Sequence, residues 1–203
     1  MLWLMFIIVA AIVAYFLLRN KSQKNADISL LPEQFVVVDI ETTGLEPEKH
    51  EIIEIGAIKV NRDSKVHTTF SALVKPEKKA SKKITELTGI TNEMLESEGE
   101  KLESAMTEFL NFVGDLRLVY YNAPFDHTFL TNAANLIEKK IENPVSCALD
   151  MSRRAWPELK SYKLANLAAM GGLNTNGNHR ALKDCELTMT VYAAAATKLG
   201  RIS

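Results

Sequence analysis

The sequence predicts an α/β domain built around a mixed sheet of five strands. The first part of the domain contains apolar segments joined by short turns, which is typical of antiparallel strands. The second part alternates strand patterns with amphipathic helical patterns, which indicates parallel strands connected by helices. The chain has 203 residues, enough for one such domain with a sizeable core and an extension.

Three strands open the domain. Residues 34–40 form an apolar run, rich in Val, that leads directly into an acidic residue. Residues 51–60 are apolar with few breaks, and residues 66–74 alternate apolar and polar side chains more clearly. The segment Glu-Pro-Glu-Lys at 46–49 favours a turn between the first two predicted strands. These segments predict an antiparallel meander.

Helices and strands alternate in the second part. Residues 84–89 and 91–96 are predicted as short helices, with Thr91 as the N-cap of the second. Residues 171–178 are rich in Gly and Asn and are predicted as a loop. The other predicted elements are a helix at 101–113, a strand at 116–121, a helix at 125–139, a strand at 144–148 and helices at 162–170 and 181–199.

An apolar segment precedes the domain. Residues 2–18 contain no charged side chain, and at about 1.5 Å per helical residue they would span roughly 26 Å, enough for a thin bilayer. A cleaved signal peptide is the alternative, but a basic region before the segment and a small-residue cleavage site after it are both missing. We therefore expect a single transmembrane helix at 1–19, a linker at 20–32 and the folded domain at 33–203.

Basic residues follow the apolar segment at Arg19, Lys21 and Lys24. Positively charged flanks remain on the inner side of the membrane, so we expect a single-pass protein of the inner or cytoplasmic membrane, with its domain in the cytoplasm. The two cysteines, Cys147 and Cys185, match no zinc-binding spacing. We expect both to be reduced, which suits a reducing compartment, and a disulfide between them stays an alternative.

The overall charge does not identify a partner. Lys and Arg number 24, Asp and Glu number 25, and the net charge is −1. This balance gives no signal for binding a polyanion, although a local basic patch remains compatible with it.

Two acids lie at the end of the first strand. Asp39 and Glu41 are two residues apart, so on a strand their carboxylates point to the same side. Burying two like charges together is costly unless a cation lies between them. Hard divalent cations prefer carboxylate oxygens, so this pair predicts a metal site. In the alternative interpretation the strand ends at Val38 and both acids lie in a solvated turn.

Two further acids occur at predicted helix starts. Asp126 is in the first turn of the helix that follows the fourth strand, where acids are common simply because they complement the helix dipole. His179 and Asp184 lie at the start of the last helix. The alternative for these two is a solvated helix face, because Arg180 and Lys183 are their neighbours.

Together these blocks resemble the DEDDh 3′–5′ exonuclease superfamily, which includes the proofreading epsilon subunit of bacterial DNA polymerase III. The resemblance covers roughly residues 35–199 and implies a ribonuclease H-like fold, with an exonuclease domain at 33–203. One departure is Tyr121, where many members have a His. The matching segments are VDIETTGL at 38–45, NAPFD at 122–126 and HRALKD at 179–184, with further likenesses in LTGI at 87–90 and SYKL at 161–164.

The resemblance implies metal-dependent hydrolysis of terminal phosphodiester bonds in single-stranded DNA or RNA, with release of 5′-mononucleotides. It implies two Mg²⁺ or Mn²⁺ ions, which suit a site made of oxygen ligands. Asp39 is expected to bridge both ions. Glu41 and Asp184 are expected to hold the first ion, and Asp126 to support the second.

His179 is the expected general base. Histidine titrates near neutral pH, and the loop at 171–178 is expected to bring the imidazole toward bound substrate. His127 is the rival candidate, but on a helix its side chain points away from that of the preceding acid. His50 and His67 are interpreted as surface residues.

Substrate contacts follow from the same resemblance. The backbone of the segment after the first acids is expected to cradle the terminal nucleotide, with Leu45 wedged against its base. Phe125 is expected to stack nearby, a contact that tolerates any base. For Leu45 and Phe125 a role as ordinary core residues stays open. The residues assigned to substrate binding are Thr42, Thr43, Gly44, Leu45, Asn122 and Phe125.

The expected partners are a single-stranded 3′ end of a nucleic acid and, through residues 2–18, a membrane. No protein partner is predicted. One alternative is a catalytically weak nucleic-acid-binding or scaffold subunit tethered to the membrane. Another is RNA as the substrate, since contacts to the 2′-hydroxyl cannot be deduced from the sequence.

Overall fold

The computed structural model describes residues 31–175 and 179–200. Within these residues one mixed sheet carries helices on both faces, as predicted. The strands are β1 (Gln34–Thr42), β2 (Ile52–Asn61), β3 (Thr68–Leu73), β4 (Arg117–Tyr120) and β5 (Val145–Cys147). Their order in the sheet is β3-β2-β1-β4-β5. β1 pairs antiparallel with β2, and β2 with β3; β1 and β5 both run parallel to β4.

Seven helices lie within the described part of the chain. Thr91 caps one of them, as predicted, by accepting a hydrogen bond from the Met94 amide. In chain order the helices are α1 (Lys82–Thr88), α2 (Asn92–Ser97), α3 (Leu102–Val113), α4 (Ala123–Leu136), α5 (Ala148–Ala155), α6 (Leu164–Met170) and α7 (Ala181–Gly200).

α5 is a helix that the sequence patterns do not predict. Its buried face consists of Ala148, Ser152 and Ala155, which recur at helical spacing. Because these side chains are small, the spacing produces little hydrophobic signal. The helix nevertheless packs closely on the sheet and on α7, since small residues allow close approach.

β1 supplies side chains to both faces of the sheet. Val36, Val38 and Ile40 face the core that α3 and α4 cover. Phe35 and Val37 face the core that α7 covers, and the alternation of a strand places the later odd-numbered residues on that same face. The strand continues through Thr42, so the alternative in which it ends at Val38 is wrong.

α7 approaches the backbone of β2 closely at Gly56. This glycine pairs with Asp39 across the two strands. A Cβ atom at this position would lie 2.6 Å from the carbonyl carbon of Ala181. One turn further along α7, the Cys185 thiol donates to the Gly56 carbonyl oxygen at 3.3 Å. The first turn of α7 therefore lies directly over the end of β1 that carries the acids.

Both cysteines are free, as predicted; Cys185 is buried and Cys147 is half-buried. Among the described residues, no helix is long and apolar enough to cross a membrane. The predicted anchor at 2–18 lies outside the described residues. Leu31, in the predicted linker, is buried in the core beneath α7.

Candidate active site

Four carboxylates converge at one end of β1. Asp39 and Glu41 project from β1 itself, and Asp126 from the first turn of α4, directly after β4. Asp184 is in the first turn of α7. Because β4 is the parallel neighbour of β1, the start of α4 lies at the same edge of the sheet as the acidic end of β1. Asp126 is only 5% exposed, so its place at a helix start is not explained by the helix dipole alone.

All four carboxyl groups of this cluster have raised pKa values, so they resist being ionised at the same time. Burial, and then the charges of Asp126, Asp184 and Glu41, raise the pKa of Asp39 well above its ordinary value. Burial and the charge of Asp184 raise the pKa of Glu41 from 4.5 to about 8. Burial raises the pKa of Asp126 to about 7, although hydrogen bonds from its own backbone and that of Ile40 oppose this. Burial also raises the pKa of Asp184.

These side chains fit a divalent cation. Glu41, His179 and Asp184 each offer a ligand atom, and these atoms lie within 4.8 Å of one another. Asp39 and Asp126 add carboxylate oxygens to the same acidic cluster. Hard cations favour this donor set. A cation among the carboxylates would offset the repulsion that raises their pKa values.

His179 lies on the exposed side of the acidic cluster, beside Glu41 and Asp184. It is exposed, and its backbone φ of 67° falls in the left-handed region that few non-glycine residues adopt. Its backbone N–H donates to Asp184 Oδ2 at 3.3 Å. His127 instead contacts the Tyr120 hydroxyl through Nδ1 at 3.3 Å. Of the two histidines, only His179 belongs to the group of possible ligands in the described chain.

The segment after β1 is held by its own side chains. The Thr42 hydroxyl donates to the Gly44 carbonyl at 2.6 Å, and the Thr43 hydroxyl contacts His50 Nδ1 at 3.3 Å. The His50 ring covers Gly44 so closely that a Cβ there would lie 2.5 Å from it. His50 is therefore half-buried rather than a surface residue. Leu45 is 79% exposed, so its alternative role as a core residue is wrong.

The two remaining predicted substrate contacts lie at the start of α4. Phe125 is half-buried and packs against Phe129, with ring centroids 5.1 Å apart. It therefore joins the edge of the core, as its alternative role proposed, while part of the ring stays exposed. Asn122 is exposed at the N-cap position, and its side chain makes no capping hydrogen bond. Both residues follow β4 and precede Asp126.

Glu54 and Arg180 form an ion pair that no pattern in the sequence predicts. The Glu54 side chain is 2% exposed and forms an ion pair with Arg180. The available signal was a single acid within an otherwise apolar strand, which normally requires a buried partner. Arg180 is one of the neighbours that favour a solvated helix face for His179 and Asp184. Its side chain instead pairs with a buried acid, and Asp184 is half-buried, whereas His179 is exposed.

Comparison with known proteins identifies the family of this chain. The sequence profile of the RNase T-type Exonuclease family matches residues 36–192. DNA polymerase III subunit epsilon of Aquifex aeolicus is 40% identical over 173 residues, which are 85% of this chain and 84% of that protein. DNA polymerase III PolC-type of Bacillus subtilis is 38% identical over 167 residues, which are 81% of this chain but only 12% of that protein.

Solved structures share the fold. Escherichia coli Exonuclease I in complex with a dT13 oligonucleotide superposes with a TM-score of 0.76 at 20% identity, over 84% of this chain and 42% of that one. Exonuclease X in complex with a 5′-overhanging duplex DNA gives 0.64 at 24% identity, over 83% of this chain and 93% of that one. From the family profile and the epsilon relative, the chain belongs to the exonuclease family, whose members use divalent metal ions, and it carries a 3′–5′ exonuclease domain.

Proposed function

We propose that this enzyme removes nucleotides one at a time from the 3′ end of single-stranded DNA and releases 5′-mononucleotides. The observation that carries the proposal is the convergence of four carboxylates and His179 at one open edge of the sheet. DNA is favoured over RNA because the relatives are named as DNA polymerase subunits and the similar structures hold DNA.

Asp39, Glu41, Asp126 and Asp184 are the residues that would hold two Mg²⁺ or Mn²⁺ ions. Such ions neutralise phosphate charge and stabilise the attacking and leaving oxygens of an in-line displacement. The raised pKa values support this role, since each carboxyl group gains from a nearby cation when it ionises.

His179 is proposed to accept the proton of the attacking water. It is the exposed histidine beside Glu41 and Asp184. The backbone hydrogen bond from His179 to Asp184 keeps the base next to the acid cluster.

The terminal nucleotide is proposed to bind against the segment 42–45. The hydroxyl contacts of Thr42 and Thr43 hold this turn, and Leu45 projects from it into solvent. An exposed apolar side chain beside an acidic cluster is suited to packing against a base. Phe125 and Asn122 lie at the start of α4 beside Asp126 and are proposed as further contacts, by stacking and by hydrogen bonding.

The location of the enzyme is also a proposal. Residues 2–18 are uncharged and are followed by basic residues, which supports a single membrane-spanning anchor with the domain on the cytoplasmic side. The free cysteines agree with a reducing compartment. Resistance of the membrane-bound protein to alkaline carbonate washing would support the anchor, whereas a processed N-terminus would contradict it.

The test of the function uses the purified protein with 5′-labelled single strands of DNA and RNA of the same sequence. We expect a Mg²⁺-dependent ladder from the 3′ end of the DNA and slower shortening of the RNA. EDTA should stop the reaction. Binding to either strand without any product, in Mg²⁺ and in Mn²⁺, would support the scaffold alternative instead.

A further inference from the structure

Glu54 is a buried carboxylate beside the active site that the proposed reaction does not use. The single N–H of Arg180 Nε is shared between the two Glu54 oxygens, at 3.1 and 3.2 Å, and a terminal guanidinium nitrogen donates to Oε1 at 2.8 Å. The backbone N–H of Ala181 donates to Oε2 at 2.9 Å. The two residues that follow His179 are therefore both bound to one carboxylate from β2.

The position of Glu54 on the sheet explains what this arrangement can control. Glu54 pairs with Glu41 across β1 and β2. Two residues along β2, Gly56 leaves the space that Ala181 fills. Glu54 thus binds the first residue of α7 at the place where Gly56 lets the helix reach the sheet. These two contacts fix the orientation of the first turn of α7 and its distance from the sheet.

The positions of His179 and Asp184 both depend on the first turn of α7. Asp184 lies three residues after Ala181, about one helical turn away. His179 lies two residues before Ala181 in a left-handed conformation, which costs free energy for a non-glycine residue and persists only where neighbouring contacts enforce it. The bonds from Arg180 and Ala181 to Glu54 are such contacts.

A purely stabilising role explains the pair poorly. Apolar side chains at a buried ion pair are often as stabilising as the pair itself. The two charges of the pair act in opposite directions on the neighbouring acid, because Glu54 raises the pKa of Glu41 and Arg180 lowers it. The geometric effect of the pair is on the start of α7, where Glu54 binds both the Arg180 side chain and the Ala181 amide.

We propose that Glu54 and Arg180 form a positioning pair that holds His179 and Asp184 in register with the acids of β1. Neither residue is proposed to touch the substrate. This inference rests on the proposed function, since it assigns His179 and Asp184 their places in that reaction.

Turnover of substituted full-length proteins tests the pair. A small displacement of reacting groups costs up to about 10²-fold in rate. We therefore expect Glu54→Gln to lower kcat by roughly 10- to 100-fold with KM changed by less than about 3-fold. The matched control is Glu186→Gln, which breaks the exposed Lys183–Glu186 ion pair on the same helix and should leave kcat within about 2-fold.

Two further variants separate positioning from charge. Arg180→Lys keeps the positive charge but lacks the planar fork, so its kcat should stay close to that of Arg180→Gln. Full recovery by lysine would show that charge alone matters and would overturn the proposal. Glu54→Gln combined with Arg180→Gln should be no slower than the worse single variant, because both act through one interaction. Multiplicative losses would also overturn it.

Hydrogen exchange provides a readout that does not depend on activity. In Glu54→Gln we expect faster exchange in the first turn of α7, at Ala181 and Leu182, with little change near Tyr192. Uniformly faster exchange along α7, or unchanged exchange in its first turn, would contradict a local positioning role. Arg180→Gln serves as the second variant if Glu54→Gln fails to fold, since the Arg180 side chain is 44% exposed.

The failures of the two proposals are distinguishable. An unaltered protein that cleaves no 3′ end removes the proposed function, while the exchange experiment still reports on the pair. An active unaltered protein whose Glu54→Gln variant has normal kcat overturns the positioning role alone.

Discussion

The interface between α7 and the sheet has two halves of opposite character. Both halves lie on the same face of the same two strands, under α7 and the two residues that precede it. In one half the residues are apolar and buried: Phe35, Val37, Ile58, Val60, Cys185, Tyr192 and Ala196. In the other half they are polar or charged: Asp39, Glu41, Glu54, His179, Arg180 and Asp184.

The difference shows how a rigid fold supports an unfavourable site. The apolar half buries side chains whose removal from water stabilises the fold. Phe35 and Tyr192 pack there edge to face, with ring centroids 5.5 Å apart. The acidic half concentrates like charges, which raises the carboxyl pKa values. We infer that the apolar half holds α7 on the sheet, so that the acidic half can keep a metal-binding arrangement that would not form on its own.

Removing one central acid should have the largest effect on turnover. Asp39→Asn keeps the size of the side chain but removes a buried carboxylate whose pKa is raised by the charges of the other three. We expect activity to fall by about 10³-fold or more, because metal-ion stabilisation is worth several kcal/mol. The metal-free protein should melt at a higher temperature than the unaltered protein, since one buried charge is removed. Turnover in Mg²⁺ and melting in EDTA measure the two effects.

The matched change in the apolar half is Tyr192→Leu. It should lower the melting temperature but leave kcat, corrected for folded protein, within about 2-fold, because Tyr192 lies in the apolar core away from the acids. Equal losses of turnover in Tyr192→Leu and Asp39→Asn would contradict the division of roles between the halves.

Loss of the proposed base, His179, should have the second largest effect on turnover. His179→Ala should lower kcat by roughly 10²–10⁴-fold, the usual contribution of a positioned base. The rise of the rate with pH, which reports deprotonation of the base in the enzyme–substrate complex, should disappear. Metal-free stability should change little because His179 is exposed. A pH–rate profile on a single-stranded oligonucleotide is the measurement. A persisting rise at near-normal rate would favour His127 or hydroxide instead.

Gly56 lies where the halves meet, and its substitution should affect both. In Gly56→Ala the new Cβ would lie 2.6 Å from the Ala181 backbone, so α7 must shift. Overpacking of this kind costs about 1–3 kcal/mol of unfolding free energy, and the shift should lower kcat by roughly 10- to 100-fold. Denaturant unfolding and steady-state rates test this. A normal kcat would show that the first turn of α7 tolerates displacement.

The smallest expected effect is that of pH on the melting temperature of the metal-free protein. Glu41 and Asp126 have folded-state pKa values of about 8 and about 7, above their ordinary values. Their contribution to stability is therefore fully present below the ordinary values and is lost as pH rises through 7–8. Between pH 5 and 8.5 we expect the melting temperature in EDTA to fall by several degrees, at roughly 2–4 °C per kcal/mol for a domain of this size.

Divalent cation should reverse this fall, and more strongly at pH 8.5 than at pH 5, because it binds the ionised carboxylates. In Asp39→Asn the fall should be smaller. A melting temperature that rises steadily to pH 8.5 in EDTA would show that these carboxyl groups ionise without cost.

Local patterns predicted most of the fold. Apolar runs and helical spacing located the five strands and the longer helices, because each pattern reports burial of one face. The small-residue face of α5 left too weak a signal. The acids and His179 came from their resemblance to a known family rather than from spacing alone.

The Glu54–Arg180 pair could not be predicted in the same way. Its members are separated by 126 residues along the chain, and no local pattern joins them. Their contact depends on the register that sets Glu54 opposite Glu41 and on how closely α7 approaches Gly56. Both are properties of the assembled sheet. The single acid in an apolar strand indicates that a partner exists but not which residue it is.

The order of the site residues along the chain has a consequence for biogenesis. β1, β2 and β3 pair with their sequence neighbours, so this meander can form early, whereas contacts of high sequence separation form slowly. Asp184 and His179 take their places only when α7 docks on β1 and β2, which end at Thr42 and Asn61. A nascent chain that has completed β1 to β5 therefore lacks Asp184 and the proposed base, His179. On the proposed function, we expect nuclease activity to appear only after α7 has docked, so that a partly synthesised chain does not degrade the nucleic acid around it.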